Sequence, residues 1–412
     1  MNYTYAFILG RYPDLSKVEI FAVLRKSDLE YTVVYESGLV LLLSMKVELP
    51  VTKINTLLGG TVKIGQIFQK FPQSIHADKI KEYLTSDTLF INYFINIPQK
   101  PTFGISLYPY HRTVKSHNPW ARTQRELLKI IKEHLDSQGF KSRYPNLEGT
   151  TLSSASVEKN KLISDGVEIL LIETPTDIFV GKTLIVQEFE SFSERDFGRP
   201  KRDMDSGIMP PKIARMMINI AESPTDSQLL DPFCGSGTLV QEALLLGYSQ
   251  VTGSDLSPKA VRDTKENLEW LKNKNLTQLD AKILNLDTTK LSDKIGEKSI
   301  NAIVTEPYMG PNLQFKSHLK DVQAVKSELE TLYLASFKQF AKVLKDHGSV
   351  VMIFPIFHVN NHYLYLDILE KIALLGFSQV VLTQDKRNSV TLGSKKDFVL
   401  REILKWKRED YE

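Results

Sequence analysis

The sequence predicts an α/β protein of several domains: a Rossmann-like, doubly wound parallel sheet in the C-terminal half, preceded by a ferredoxin-like α+β domain and a further helix-and-strand domain. Three observations carry this expectation. The chain of 412 residues exceeds what a single hydrophobic core usually supports. Beyond residue 212, strand and helix signals alternate, as they do in a parallel sheet covered on both faces. At the start of the chain the order is strand, helix, strand, strand, that of a small α+β unit.

Residues 4–9 read as the first strand, and no basic n-region precedes them, so they do not resemble a signal peptide. A helical pattern covers 18–29, with Ser16 placed to cap it. Short alternating strands at 31–35 and 40–44 flank Ser37-Gly38, and a second helix-and-strand set continues to about 95. Residues 103–108 form a strand and 120–135 a long helix, stopped at Gly139. Alternation over 167–173 and 178–187 around Pro175-Thr176-Asp177 reads as a hairpin. Residues 191–212, rich in Ser, Asp, Arg, Gly and Pro, read as a linker. After it come helix 212–221, strand 228–232, helix 238–246, strand 251–255, helix 258–271, strands 282–286 and 302–304, helix 328–343 and strand 349–354. The expected domains are therefore 1–95, 96–190 and 213–412, with 191–212 between the last two.

Composition bounds the function. At 42% hydrophobic and 25% charged residues the chain is not a disordered one, and a net charge of +3 is too mild to announce a nucleic-acid binder by itself. The single cysteine, Cys234, excludes an intramolecular disulfide or a multi-thiolate zinc site and suggests a reducing, cytoplasmic compartment. With no acid or histidine partner evident, it reads as a packing residue and not a nucleophile. His358 and His362 lack a third ligand, so no metal is expected. The most apolar run, 350–359, is interrupted by Pro355 and His358 and is too short to span a bilayer.

The chemistry concentrates in two segments. Asp231-Pro-Phe-Cys-Gly-Ser-Gly-Thr238 lies between a strand and a helix, where glycines let backbone approach a ligand and adopt positive φ. It sits at the carboxyl end of the sheet's first strand, the place where open α/β sheets bind nucleotide-like ligands. Asp255, at the end of the next strand, is suited to a ribose diol, and Asp287, after the third, is in reach of an adenine edge. A dinucleotide fingerprint fails because position 240 is Val, and Gly181-Lys182-Thr183 lacks the upstream glycine of a phosphate loop. Chance glycines in a turn are the bland alternative. The second segment, Thr305-Glu-Pro-Tyr-Met-Gly310, closes the fourth strand. There an aromatic ring can stack on a flat ligand while a carboxylate and nearby carbonyls accept hydrogen bonds from an exocyclic amine. In isolation Glu-Pro-Tyr is as readily an ordinary turn.

Residues 231–238 resemble the first motif of class I, S-adenosylmethionine-dependent amino-methyltransferases, in the form found in THUMP-domain tRNA guanine-N2 methyltransferases of the position-10 type. That family's fourth motif, Thr-Asp-Pro-Pro-Tyr-Gly, is similar to Thr305-Glu-Pro-Tyr-Met-Gly310, with Glu306 in the acid's place; a register matched on Pro-Tyr would put Thr305 there instead. Ile8-Leu-Gly-Arg-Tyr-Pro-Asp-Leu-Ser16, Leu152-Ser-Ser-Ala-Ser-Val157, Gly181-Lys-Thr-Leu-Ile185 and the Pro210-Pro211 entry extend the likeness over most of the chain. The resemblance implies a THUMP RNA-binding domain at 96–190 and a class I methyltransferase sheet at 213–412. It further implies S-adenosylmethionine held by Asp231, Phe233, Gly235, Gly237, Asp255 and Asp287, with Glu306, Pro307 and Tyr308 catalytic. The implied reaction is methyl transfer to the N2 of a tRNA guanosine. An adenine-N6 methyltransferase acting on RNA or DNA, and a non-catalytic RNA-binding protein, remain alternatives. An activating subunit is compatible with the sequence but leaves no mark in it.

Local charge points to RNA separately. Between 111 and 144 eight bases (Arg112, Lys115, Arg122, Arg125, Lys129, Lys132, Lys141, Arg143) stand against three acids, leaving +5, more than the net charge of the whole chain. Arg122, Arg125, Lys129 and Lys132 recur at helical three- and four-residue spacings and so form one stripe, suited to phosphate. A solvated helix face is the competing explanation.

Overall fold

The computed structural model of the protein describes residues 2–75, 77–86, 93–94, 98–110, 119–146, 149–202, 209–311, 318–394 and 396–410. The described strands form two sheets, one of seven strands and one of nine. The first is built from β1 (Tyr3–Leu9), α1 (Pro13–Lys26), β2 (Thr32–Glu36), β3 (Val40–Met45), α2 (Val51–Leu57) and β4 (Thr61–Pro72), in the spatial order β2-β3-β1-β4 with antiparallel neighbours. This is the ferredoxin-like arrangement expected. The chain continues through α3 (Ala77–Leu84), β5 (Thr102–Tyr108), α4 (Pro119–Ser137), α5 (Ser154–Lys159), β6 (Gly166–Glu173) and β7 (Asp177–Val186). The β6–β7 hairpin is the one predicted, and β7 pairs with β4, so the sheet extends as β4-β7-β6-β5 and runs without a break across residue 95. Parallel β5 and β6 are buried along nearly their whole length, as parallel strands usually are.

A buried polar ladder crosses these four strands. Lys63 of β4 donates to Glu168 Oε1 (2.5 Å) and to the Leu152 carbonyl (2.6 Å). Ser106 of β5 and Thr183 of β7 donate to the same carboxylate, each at 2.5 Å. Glu168 is fully buried, so its charge is tolerable only because a cation and two hydroxyls surround it.

The second sheet follows α6 (Phe189–Ser193) and α7 (Pro211–Ile220). It comprises β8 (Gln228–Asp231), α8 (Thr238–Leu245), β9 (Gln250–Asp255), α9 (Pro258–Asn273), β10 (Ala281–Asn285), β11 (Ile300–Thr305), α10 (Leu319–Val343) and β12 (Leu344–Val359). It then continues through β13 (His362–Leu364), α11 (Leu369–Ala373), β14 (Phe377–Val380), β15 (Val390–Leu392) and β16 (Val399–Arg408). The order β10-β9-β8-β11-β12-β16-β14 has a parallel core, with β16 antiparallel to both its neighbours. Strand order reverses at β8, and that reversal opens a crevice at the carboxyl ends of the central strands. On the far side, Phe337 of α10 packs its ring against Trp406 of β16 (5.1 Å between centroids), and Tyr333 packs against Phe354 of β12 (5.3 Å).

By contact the chain divides into two compact units: 1–13, 28–56 and 61–189; and 14–27, 57–60 and 190–412. Nearly all of α1 thus belongs with the C-terminal part. Glu19, fully buried on α1, accepts hydrogen bonds from the amides of Gly59 and Gly60 (2.7 and 2.8 Å) and from the Asn219 side chain (2.8 Å). A Cβ on Gly60 would lie 2.4 Å from Ser16 Oγ, so only glycine fits that approach.

Three expectations need correction. Ser16 does not cap α1: the helix starts at Pro13, whose fixed φ suits the first turn, and Ser16 Oγ instead donates to the Gly60 carbonyl (2.9 Å). The stretch read as a linker contains helical turns at 189–198, and Arg195 and Arg199 are buried there. Helix α10 begins at Leu319, not near 328, because Val322 and Leu329 continue the buried stripe of Tyr333, Phe337 and Phe340. Strands β13 to β16 lie beyond 349–354, the last strand read from the sequence. Among the described residues no helix is long and apolar enough to cross a membrane, and no group of three metal-ligating side chains occurs.

Candidate active site

The crevice holds a cavity of about 550 Å³, within the range of small-molecule sites. Its wall includes Asp231, Phe233, Gly235, Asp255, Asp287, Glu306, Pro307 and Tyr308. Two segments some seventy residues apart in sequence meet here because β8 and β11 are adjacent parallel strands. Of the nine residues expected around cofactor and substrate, Gly237 alone is not on the wall. It shapes the turn instead: its φ is +86°, and a Cβ there would come 2.7 Å from Thr264 Cγ2. Gly235, at φ +51°, faces open space, so a side chain at that position is strained by backbone conformation and not by crowding.

Helix α9 holds the turn through residues that the sequence did not single out. Thr264 Oγ1 donates to the Gly235 carbonyl (2.7 Å), and Asn267 Nδ2 donates to the Ser236 carbonyl (2.8 Å). Their signal in sequence is slight: two small polar residues, three apart, on the inner face of an otherwise amphipathic helix. The Asp255 carboxylate accepts from the Gly235 amide (3.0 Å) and the Ser257 amide (2.8 Å), which fixes it at the rim beside the strongly exposed Leu256. Asp287 caps the short turn after β10 through the amide and hydroxyl of Thr289, both at 2.8 Å. Cys234 is buried, and burial pushes its thiol pKa up, as suits a packing residue.

Asp231 is 1% exposed and accepts from Thr305 Oγ1 (2.7 Å) and the Phe233 amide (3.2 Å). The Thr305 hydroxyl is therefore engaged by Asp231, while Glu306 reaches the wall. Burial pushes the Asp231 carboxyl up to about 7, against its two hydrogen bonds and with help from Asp255 and Glu306. Burial likewise pushes Glu19 up to about 7. An acid with a raised folded-state value binds an extra proton in the native state. Its stabilisation is complete below the unfolded value of about 4 and is lost as pH rises through about 7. The melting temperature of the protein should fall between about pH 5 and 7.5, and Asp231→Asn should flatten part of that fall. An unchanged slope in the variant would remove Asp231 as its source.

Glu306 Oε1 accepts from Arg401 Nε of β16 at 2.5 Å. Tyr308 is 48% exposed at the mouth, and its carbonyl accepts from the buried Tyr333 hydroxyl (2.8 Å). Among the described residues the wall carries four carboxyl groups, those of Asp231, Asp255, Asp287 and Glu306, against one lysine, Lys259, which is paired with Asp263. Such a site favours a cationic ligand with apolar parts, the latter facing Met209, Phe233, Leu239 and Leu256.

The basic stripe lies in the other unit. Helix α4 buries Gln124, Leu127, Leu128, Ile131 and Leu135 and turns Arg122, Arg125 and Lys129 to solvent, with Lys132 half-buried. Three of the four bases pair with acids one turn on: Arg122 with Glu126, Lys129 with Glu133, and Lys132 with Asp136. Lys141 is exposed, and Arg143 donates to Thr102 Oγ1 (2.9 Å). Arg112 and Lys115 fall outside the described residues.

Residues 199–362 match the model of the RMKL-like methyltransferase domain. The chain is 26% identical over 234 residues to the tRNA (guanine(10)-N2)-dimethyltransferase of Methanocaldococcus jannaschii, covering 56% of this chain and 61% of that protein. It is 30% identical over 163 residues to the protein of the same name from Methanothermobacter thermautotrophicus, covering 39% and 41%. It is also 30% identical over 143 residues to a probable tRNA (guanine(10)-N2)-dimethyltransferase of Methanothermococcus thermolithotrophicus, covering 34% of this chain and 77% of that one. The chain thus spans less than two thirds of the first two relatives. Among solved structures, TrmN from Thermus thermophilus superposes over 99% of this chain and all of its own with a TM-score of 0.58 at 15% identity, a likeness of fold.

Proposed function

Since the chain belongs to the family of the tRNA (guanine(10)-N2)-dimethyltransferases, we propose that it transfers methyl groups from S-adenosylmethionine to the exocyclic N2 of a tRNA guanosine, at position 10. The observation that carries this reading is the joining of glycine turn, Asp255 and Glu306-Pro307-Tyr308 around one cavity. Its acidic, partly apolar wall suits a sulfonium ligand with an adenosine arm. Asp231, Phe233, Gly235, Asp255 and Asp287 would hold that cofactor, with Gly237 shaping the turn, and when bound it supplies a methyl group already activated for attack.

The chain's own residues have the other half of the task. The guanine amine is a weak nucleophile because its lone pair is delocalised into the ring, so orientation matters more than proton abstraction. Glu306 accepts an amine hydrogen and stabilises the charge that develops on nitrogen. Tyr308 stacks on a base rotated out of its helix, while Pro307 sets the backbone between the two. Residues 96–190 serve as the THUMP RNA-binding domain beside the N-terminal domain 1–95, with 191–212 leading to the catalytic domain 213–412. The single cysteine suits a reducing compartment, the cytoplasm.

Transfer of label from S-adenosylmethionine to total tRNA, followed by nucleoside analysis, tests this proposal. N2-methylated guanosine is expected; N6-methyladenosine would replace guanine with adenine as substrate, and tRNA binding without transfer would mark a non-catalytic protein. Asp255→Ala should weaken cofactor affinity about ten- to hundredfold, since loss of a charge-assisted contact to a hydroxyl costs roughly 1.5–3 kcal/mol, with tRNA affinity nearly intact. Unchanged calorimetric affinity would sink the ribose assignment. Reversing Arg122, Arg125 and Lys129 to Glu should weaken tRNA binding and flatten its salt dependence while cofactor binding is preserved. Normal binding by that triple variant at moderate salt would leave the stripe, with Lys132, Lys141 and Arg143, as a solvated face.

A further inference from the structure

The Glu306 carboxylate sits in the cavity wall with its side chain only 14% exposed, and among the described residues its polar contact is Arg401. The two come from separated strands. Thr305, the last residue of β11, lies opposite Met352 of β12, whereas Arg401 of β16 lies opposite Pro355, on the far side of β12 and three residues further along it. Two inter-strand spacings amount to about 10 Å, so the contact closes only when a long side chain reaches over β12 from each side. Glutamate meets that requirement. Aspartate, shorter by one bond of about 1.5 Å, would not make the same contact.

A glutamate facing a cavity has three torsions to lose when it engages a substrate, and an acceptor that is ordered beforehand does not pay that cost at the moment of reaction. The guanidinium Nε–H engages one oxygen and leaves the other for a second donor. We propose that Arg401 is a positioning residue for Glu306: by holding Oε1 it fixes the carboxylate so that Oε2 accepts the N–H of the target amine. The inference rests on Glu306 being the amine acceptor. Tyr333 fixes the other end of the segment at the Tyr308 carbonyl, so the carboxylate and the backbone that carries the stacking residue are each secured from a different element.

The test compares kcat, KM and calorimetric S-adenosylmethionine affinity of the full chain carrying Arg401→Met, Arg401→Lys, Glu306→Gln, and Arg401→Met with Glu306→Gln. Arg401→Met should lower kcat roughly tenfold or more and leave cofactor affinity unchanged, and Arg401→Lys should recover part of the loss. Because Arg401 acts through Glu306, the double variant should be no slower than Glu306→Gln alone. Wild-type kcat in Arg401→Met, or losses that multiply in the double variant, would overturn the inference. An impaired Glu306→Gln beside a fully active Arg401→Met overturns the role of Arg401 alone, whereas a fully active Glu306→Gln removes the role of Glu306 and that of Arg401 with it. Should Arg401→Met fail to fold, Arg401→Lys and Arg401→Gln carry the same comparison.

Discussion

Replacing Glu306 with Gln should lower turnover on tRNA by ~10²-fold or more, about 2.7 kcal/mol of transition-state stabilisation, while affinities for cofactor and tRNA change little. Glutamine keeps the length of the side chain and one acceptor oxygen. Arg401, a pure donor, will claim that oxygen. The amide NH2 is then left towards the incoming amine, so that donor meets donor where positive charge develops. Glu306→Asp keeps the charge but not the reach to Arg401, and partial activity is expected from it. Single-turnover kinetics separate the effect on chemistry from any effect on release. Wild-type turnover in Glu306→Gln would transfer the acceptor role to Thr305, whose hydroxyl would first have to leave Asp231.

Lys63→Met is expected to destabilise the N-terminal unit by about 3–5 kcal/mol, the usual cost of removing one partner from a buried ion pair. The variant leaves Glu168 fully buried with two hydroxyl donors and no cation, and it orphans the Leu152 carbonyl. Burial already lowers the Lys63 pKa, which Glu168 offsets in part, so the pair exists by mutual compensation and not because either charge favours the interior. Adding Glu168→Gln to Lys63→Met should recover part of the loss, because the amide keeps an acceptor and drops the unpaired charge. Urea unfolding at constant m-value measures both changes. A midpoint shift equivalent to less than about 1 kcal/mol would show that the ladder is not needed to hold β4, β7, β6 and β5 together.

Much of the candidate site is legible in the sequence because its signals are local. A glycine turn between strand and helix and a carboxylate at the next strand's end are fixed by a few adjacent residues. Eight of the nine residues expected around the ligand do line one cavity. The residues missed are those whose role depends on another element. Thr264 and Asn267 read as ordinary polar positions of a helix until α9 is placed beneath the turn. Tyr333 reads as one more aromatic in a buried stripe until its hydroxyl is found at the Tyr308 carbonyl. The helical spacing of the basic stripe was equally legible, but its i to i+4 pairing with Glu126, Glu133 and Asp136 lowers the field it presents to phosphate.

The sequence by itself determined the ferredoxin-like order of the first strands, the alternation of the parallel sheet and the chemistry available at its carboxyl edge. Each of these follows from periods of two or 3.6 residues and from turn residues, which are properties of short segments. The tertiary structure alone decided that Glu306 meets Arg401 across β12, that Lys63 meets Glu168, and that Glu19 of α1 is completed by Asn219. These pairs stand 95, 105 and 200 residues apart. Which of many charged side chains become neighbours depends on strand order and register, and a segment's own pattern carries neither. Once buried, such groups have no water to fall back on, so the partner that the fold supplies fixes both the stability of the carboxylate and the direction in which it can act.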